Sequence, residues 1–278
     1  MLFLILVILG GSMLAIMMRL SEGQVKSKTS MLAINYLTCM LLSGAYMGFD
    51  LSLSTPGSGR TLLLGTIAGI FYVVSLLLMQ FNIRKNGVIL PSVFSRLGGL
   101  LVPLIAAVCF FDENPTTTQR IGSVIAGLSI IAISSSGDRS SVTSIFSLLL
   151  LLILDGCATT MSTVYEKLGN SELNSQFLFY TFGTAFLICL ILIIKNKESI
   201  GWKEILFGLG IGVPNFFASR CLLLALKTIP AVIVYPTRGV ACIVVVSLAG
   251  LLLFKERLQK RQWVAMAAIL VAVVLLNI

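Results

Sequence analysis

Ten stretches of about twenty apolar residues follow one another along the chain, separated by short polar linkers. That pattern restricts the fold more than any single residue does. A helix rises 1.5 Å per residue, so about twenty apolar residues are what the hydrocarbon core of a bilayer requires. The runs are 2–20, 30–49, 61–83, 87–111, 119–136, 144–167, 175–195, 203–226, 230–254 and 260–278. The linkers are as brief as Ser21-Glu22-Gly23-Gln24 and Lys195-Asn196-Lys197-Glu198, and none leaves room for a soluble domain. The run at 119–136 is the shortest and ends in Ser134-Ser135-Ser136. Composition agrees: 57% of the 278 residues are hydrophobic and 11% charged, against about half and about a quarter in a soluble domain. In lipid every backbone polar group must be satisfied internally, so the expected class is all-α and membrane-spanning. Met1 to Leu20 has no basic residue before its apolar run, and its first is Arg19. It is therefore expected to be a mature span and not a cleaved signal.

The chain repeats itself. Phe111, Glu113 and Gln119 match Phe254, Glu256 and Gln262 at an offset of 143. Gly65 and Gly69 match Gly208 and Gly212 at the same offset, and Leu9-Gly10-Gly11 resembles Leu154-Asp155-Gly156 at 145. The expected organisation is two five-helix repeats, 1–138 and 144–278. Five is odd, so the two repeats enter the membrane in opposite senses. Matching linkers should then differ in Lys and Arg content. They do: Arg19, Lys26 and Lys28 face Lys167 alone; Arg60 faces Lys195, Lys197 and Lys203; Arg84 and Lys85 face Lys227; and Arg120 faces Lys255, Arg257, Lys260 and Arg261. With Arg139, one side holds thirteen basic residues and the other four. The rich side is assigned to the cytoplasm and both termini to the outside of a cell (inner or plasma) membrane. The net charge of +9 is thus topological and does not mark nucleic-acid binding.

Leu252-Leu253-Phe254-Lys255-Glu256-Arg257-Leu258 followed by Arg261-Gln262-Trp263, with a degraded copy at Phe110-Phe111-Asp112-Glu113-Asn114-Pro115 and Gln119, resembles the drug/metabolite transporter superfamily. The resemblance is to its ten-helix branch with two EamA-type domains. It implies transport of a metabolite, often export, commonly coupled to protons or working by exchange, and leaves the metabolite open.

Ionisable residues inside spans are costly, so each is a functional candidate. Arg96, Asp155, Arg220 and Arg238 are the clear cases. Arg96 and Arg238 lie 142 residues apart, near the middles of matching spans, and a pseudo-two-fold axis would bring both to one cavity. Guanidinium forks suit carboxylate or phosphate. The alternative is that they serve backbone carbonyls or Asp155. Asp155 is read as a counter-ion to one Arg, as a proton-coupling carboxylate, or as a substrate contact. Arg220 sits nearer a helix end, where it can snorkel. The charge excess favours an anion or zwitterion, such as an organic acid or amino acid. Tyr72, Asn215 and Tyr235 are further cavity candidates, each weighed against packing and interfacial roles. Pro91, Pro236 and Pro214 are candidate kinks or hinges, since Pro removes an intrahelical bond. The glycine pairs Gly65-x-x-x-Gly69 and Gly208-x-x-x-Gly212 are read as close-packing faces, with spans three and eight as a candidate fulcrum. Glu113 and Glu256 are read as helix-end residues. The six cysteines fall in apolar segments and read as small buried side chains.

The chain has no histidine, no second mid-span acid and no metal-like cluster. A membrane-embedded enzyme is therefore the weaker reading, and no metal or cofactor is expected. A translocator of lipid-linked or cationic, drug-like substrates on the same fold is the other alternative. The expected partners are a small-molecule substrate and the lipid bilayer, and the apolar outer faces permit a homodimer without requiring one.

Overall fold

The computed structural model describes residues 2–49, 55–111, 116–118, 121–122, 124–125, 128, 142–229, 231–255 and 260–275. Among these residues the structure is helical. The helices are α1 Leu2–Ser21, α2 Lys28–Tyr46, α3 Ser58–Asn86, α4 Ile89–Phe111, α5 Val142–Leu168, α6 Asn174–Asn196, α7 Trp202–Thr228, α8 Ala231–Leu252 and α9 Lys260–Leu275. A 3₁₀ turn, Ser171–Leu173, leads into α6. Five helical stretches are long and apolar enough to cross a membrane: Leu2–Ser21, Ser58–Asn86, Ile145–Leu168, Ser171–Asn196 and Trp202–Thr228. The expected span at 119–136 lies largely outside the described residues, as do Glu113 and Glu256.

Local chemistry sets the helix ends. Ser27 caps α2, accepting from the Ser30 amide. Gly87 ends α3 at φ 73°, a left-handed backbone that suits glycine. Arg84 and Lys85 lie in the last turn of α3, where cations complement the helix dipole. Glu204, in the first turn of α7, accepts from the amides of Lys26, Ser27 and Gly201, and so ties the start of α2 to the start of α7. Glu198 also accepts from the hydroxyls of Ser27 and Thr29.

Eight helices close a ring in the order α4, α5, α3, α6, α2, α7, α1, α8, and back to α4. The two halves of the sequence are interleaved around it. The arc α4–α5–α3–α6 and the arc α2–α7–α1–α8 each take two helices from each half. Glycines make the closest approaches, and these fall within arcs. A Cβ on Gly65 would stand 2.8 Å from Tyr180 Cβ, and one on Gly69 would meet the Thr181 carbonyl, both on α6. A Cβ on Gly208 would stand 2.8 Å from Met31 O, and one on Gly212 would stand 2.9 Å from Asn35 O, both on α2. The glycine pairs therefore do act as close-packing faces. Their partners differ from the expected fulcrum: α3 lies on α6 and α7 on α2, so spans three and eight do not meet through these glycines. Between the arcs the glycines meet flexible tips: Gly183 faces Met40 Sδ, and Gly11 faces the Arg96 guanidinium.

The sides of the ring follow from hydrogen bonds. Gln80 Nε2 donates to Glu22 Oε1 at 2.7 Å, which places the C-terminal ends of α1 and α3 together. Arg60, at the start of α3, donates to Leu168 O at 3.1 Å, which places the end of α5 on the opposite side. Lys227 donates to Ser171 O there too.

Candidate functional site

Six of the ring helices leave a cavity between them, with about 740 Å³ of empty space, part of it open at the mouth. Tight crossings bring the lining together. Gly10 lets α1 approach the Pro214 carbonyl, and a Cβ on Gly156 would reach Gly98 O at 2.6 Å where α5 crosses α4. The second crossing seats Ser95 against Asp155, the hydroxyl donating to Oδ2 at 2.7 Å.

Arg96, Asp155 and Arg238 all line this cavity, as do Tyr72 and Asn215. Arg96 crosses from α4 to α1, its Nη2 donating to Gly11 O at 3.4 Å. The buried Nε of Arg238 has no hydrogen-bond acceptor among the described residues. Leaving such a donor unmet costs about 1–3 kcal/mol, more for a charged group. Neither arginine comes within 4.0 Å of the Asp155 carboxylate, so the site is a cluster of separate charges and not a closed ion pair.

Tyr72 is held from behind. Tyr36 donates to its carbonyl at 3.0 Å, and Phe182 meets its ring edge-on at 5.9 Å. Asn215 is buried and donates to Asn35 Oδ1 at 3.1 Å. Tyr235 lies on α8, but its side chain falls outside the described residues, as does that of Pro236. Pro214 lies inside α7, one residue before Asn215, where it removes a backbone bond. Pro91 sits in the first turn of α4, where amides have no intrahelical partner and proline interrupts nothing.

Arg220 stands apart from this cluster. Its guanidinium lies 3.9 Å from the Tyr46 ring centroid and donates to Ser175 Oγ at 3.0 Å. Both partners lie at one end of their helices, so Arg220 is satisfied near a membrane face.

Sequence reasoning did not single out Ser95, Thr159, Ser162 or Ser219, which also line the cavity. Small hydroxyl residues are common in spans and carry no charge signal. The helical spacing of Asp155, Thr159 and Ser162 on one face of α5 was the available clue.

Residues 146–278 match the EamA-like transporter family. The match supports the drug/metabolite transporter membership that the sequence resembles, and with it a multi-pass membrane transporter of that type. No curated protein matches the chain. Among the solved structures 28 chains match. One, a crystal structure of a protein, has a TM-score of 0.68 at 16% identity and covers 99% of this chain and 95% of its own. It is similar in fold.

Proposed function

We propose that this chain is a secondary transporter carrying a small metabolite across the cell membrane by alternating access, with an amino acid or organic anion as substrate. The observation that carries this reading is the buried Arg238 Nε, unmet and beside a cavity that Arg96 and Asp155 share. Two guanidiniums against one carboxylate leave a net positive site for one anionic group. The EamA match supports transport, and the family resemblance favours export. No chemistry is asked of the protein beyond binding and release.

An organisation in two inverted five-helix repeats, 1–138 and 144–278, belongs to this reading, since such folds bind substrate where the repeats meet. The cavity lining supports this organisation at four pairs of positions. Tyr72, Ser75, Leu76 and Met79 on α3 have Asn215, Ala218, Ser219 and Leu222 on α7 as their counterparts at offset 143, and all eight line the cavity. The ring pairings come in mates as well: α1 on α7 with α5 on α3, and α2 on α7 with α6 on α3. The Lys- and Arg-rich linkers favour cytoplasmic placement, with the termini outside.

The test is a thermal-shift screen of the purified protein against amino acids, organic acids, nucleosides, phosphorylated metabolites and quaternary amines, repeated on Arg238→Gln. A ligand that binds only the folded state raises stability by mass action. The expected result is stabilisation of the wild type by an anionic or amino-acid ligand and none of the variant. Stabilisation by cations alone, equal in the variant, would overturn it.

A further inference from the structure

The cavity is symmetric in position but not in chemistry, and from that difference we infer that the substrate is a monocarboxylate with an apolar side chain. This inference rests on the central-site reading above and narrows its substrate class.

Equivalent lining positions have diverged. Leu76 on α3 stands where α7 has Ser219, and Leu14 on α1 stands where α5 has Thr159 at offset 145. Leu14, Leu76 and Met79 gather in one lobe. Leu14 and Met79 each lie seven residues, about 10 Å, before the ends of α1 and α3. Leu76 lies one turn deeper and completes the lobe. Three hydroxyl residues gather towards the other side, where Leu222 on α7 is the apolar exception, while Ser75 on α3 adjoins Leu76. Thr159, Ser162 and Ser219 lie along the outer halves of α5 and α7, whose ends meet Arg60 and the Ser171 carbonyl. Asp155 and Arg238 lie between the two lobes, and Arg96 reaches across to Gly11.

A ligand that fits this gradient carries one negative charge at the arginines and an aliphatic part against Leu14, Leu76 and Met79. Two arginines and one aspartate leave a net of one positive charge, which matches one carboxylate. A second carboxylate turned towards Leu14, Leu76 and Met79 would meet no charged donor there, at the cost of a desolvated charge. Hydroxyls of a sugar or polyol turned the same way would go largely unmet. A methylene added to the ligand in such a lobe is worth about tenfold or more in discrimination.

The experiment is a thermal-shift titration of the purified full chain with leucine, methionine, their 2-oxo acid counterparts, serine, lactate, glutamate and succinate, on wild type, Leu76→Ser and Arg238→Gln. Leu76→Ser copies the residue at the equivalent position. The expected result is stabilisation of the wild type by the apolar monocarboxylates, with apparent affinities at least tenfold above those of serine, lactate and the dicarboxylates. In Leu76→Ser that preference falls by about tenfold, while Arg238→Gln loses every response. The amino-acid and 2-oxo acid arms separate a zwitterion from a simple acid as the source of the carboxylate. If dicarboxylates or hydroxylated acids bind more tightly to the wild type and still need Arg238, the central site stands and this inference falls. If no carboxylate response depends on Arg238, both fall. The wild-type panel decides the matter even if Leu76→Ser does not fold.

Discussion

Asp155 shows how one hydrogen bond can organise a charged site. Its Oδ2 accepts from Ser95, which fixes the carboxylate against α4 at the cavity wall. Ser95→Ala is expected to leave the fold intact and weaken ligand binding about tenfold, since a hydrogen bond to a charged group is worth about 1.5–3 kcal/mol. Ligand-dependent thermal shifts measure this, and Ser95→Thr, which keeps the hydroxyl, should restore binding. The charged residues of the site were legible in the sequence because a charge in an apolar run has no cheap explanation. Ser95 was not, because a hydroxyl residue in a span costs little and marks nothing. Arg220 showed the same limit from the other direction: as a charge in a span it stood out, but its partners Tyr46 and Ser175 come from two other helices.

At the scale of the element, the glycine faces of α3 and α7 are the most sensitive feature. A larger side chain at Gly212 would be driven into Asn35 O and Thr38 Cβ, and one at Gly69 into the Thr181 backbone. Neither obstacle is a flexible tip that can swing aside. Gly212→Leu and Gly69→Leu are each expected to destabilise the protein by about 2–4 kcal/mol, read as a lowered ligand-free melting temperature or loss of monodisperse protein. Gly183→Ala, which faces only Met40, should be tolerated. The four-residue glycine spacing was plain in the sequence, but not which helix each face would meet. Spacing fixes a face on one helix, and the partner is decided by tertiary packing. Pro91 is a similar case. A sequence-defined span beginning at 87 put it just past the first turn, where its missing amide would interrupt the helix, whereas α4 begins at Ile89 and makes it a starting residue.

On the scale of the whole molecule, the interleaved ring defines what can move. If each arc moves as a body, linking Asn82 to Ser147 joins different sequence halves within one arc, where the Ser147 hydroxyl already donates to Asn82 Oδ1 at 2.7 Å. Linking Glu22 to Gln80 joins different arcs within one half. With native cysteines replaced, the Asn82→Cys/Ser147→Cys disulfide should leave a cavity cysteine at Thr159 open to reagent from both membrane faces in turn. The Glu22→Cys/Gln80→Cys disulfide should confine labelling to one face. The reverse pattern would mean that the sequence halves themselves are the moving bodies. A shared offset is the sequence's ground for expecting a repeat. It did not disclose the interleaving of the two halves, since an offset says which positions correspond and nothing about which helices touch. The same ring bears on how the protein is made. While the ribosome has delivered only α1 to α4, the glycine face of α3 and the Ser95 side of α4 have no partner, because α5 and α6 are still to come. The first half must wait in the membrane with its closest-packing surfaces against lipid, and the structure locks only when the second half inserts. Residues 1–138 produced alone should therefore be degraded rapidly, and co-production with 144–278 should rescue them, measurable as the half-life of each fragment in a pulse-chase.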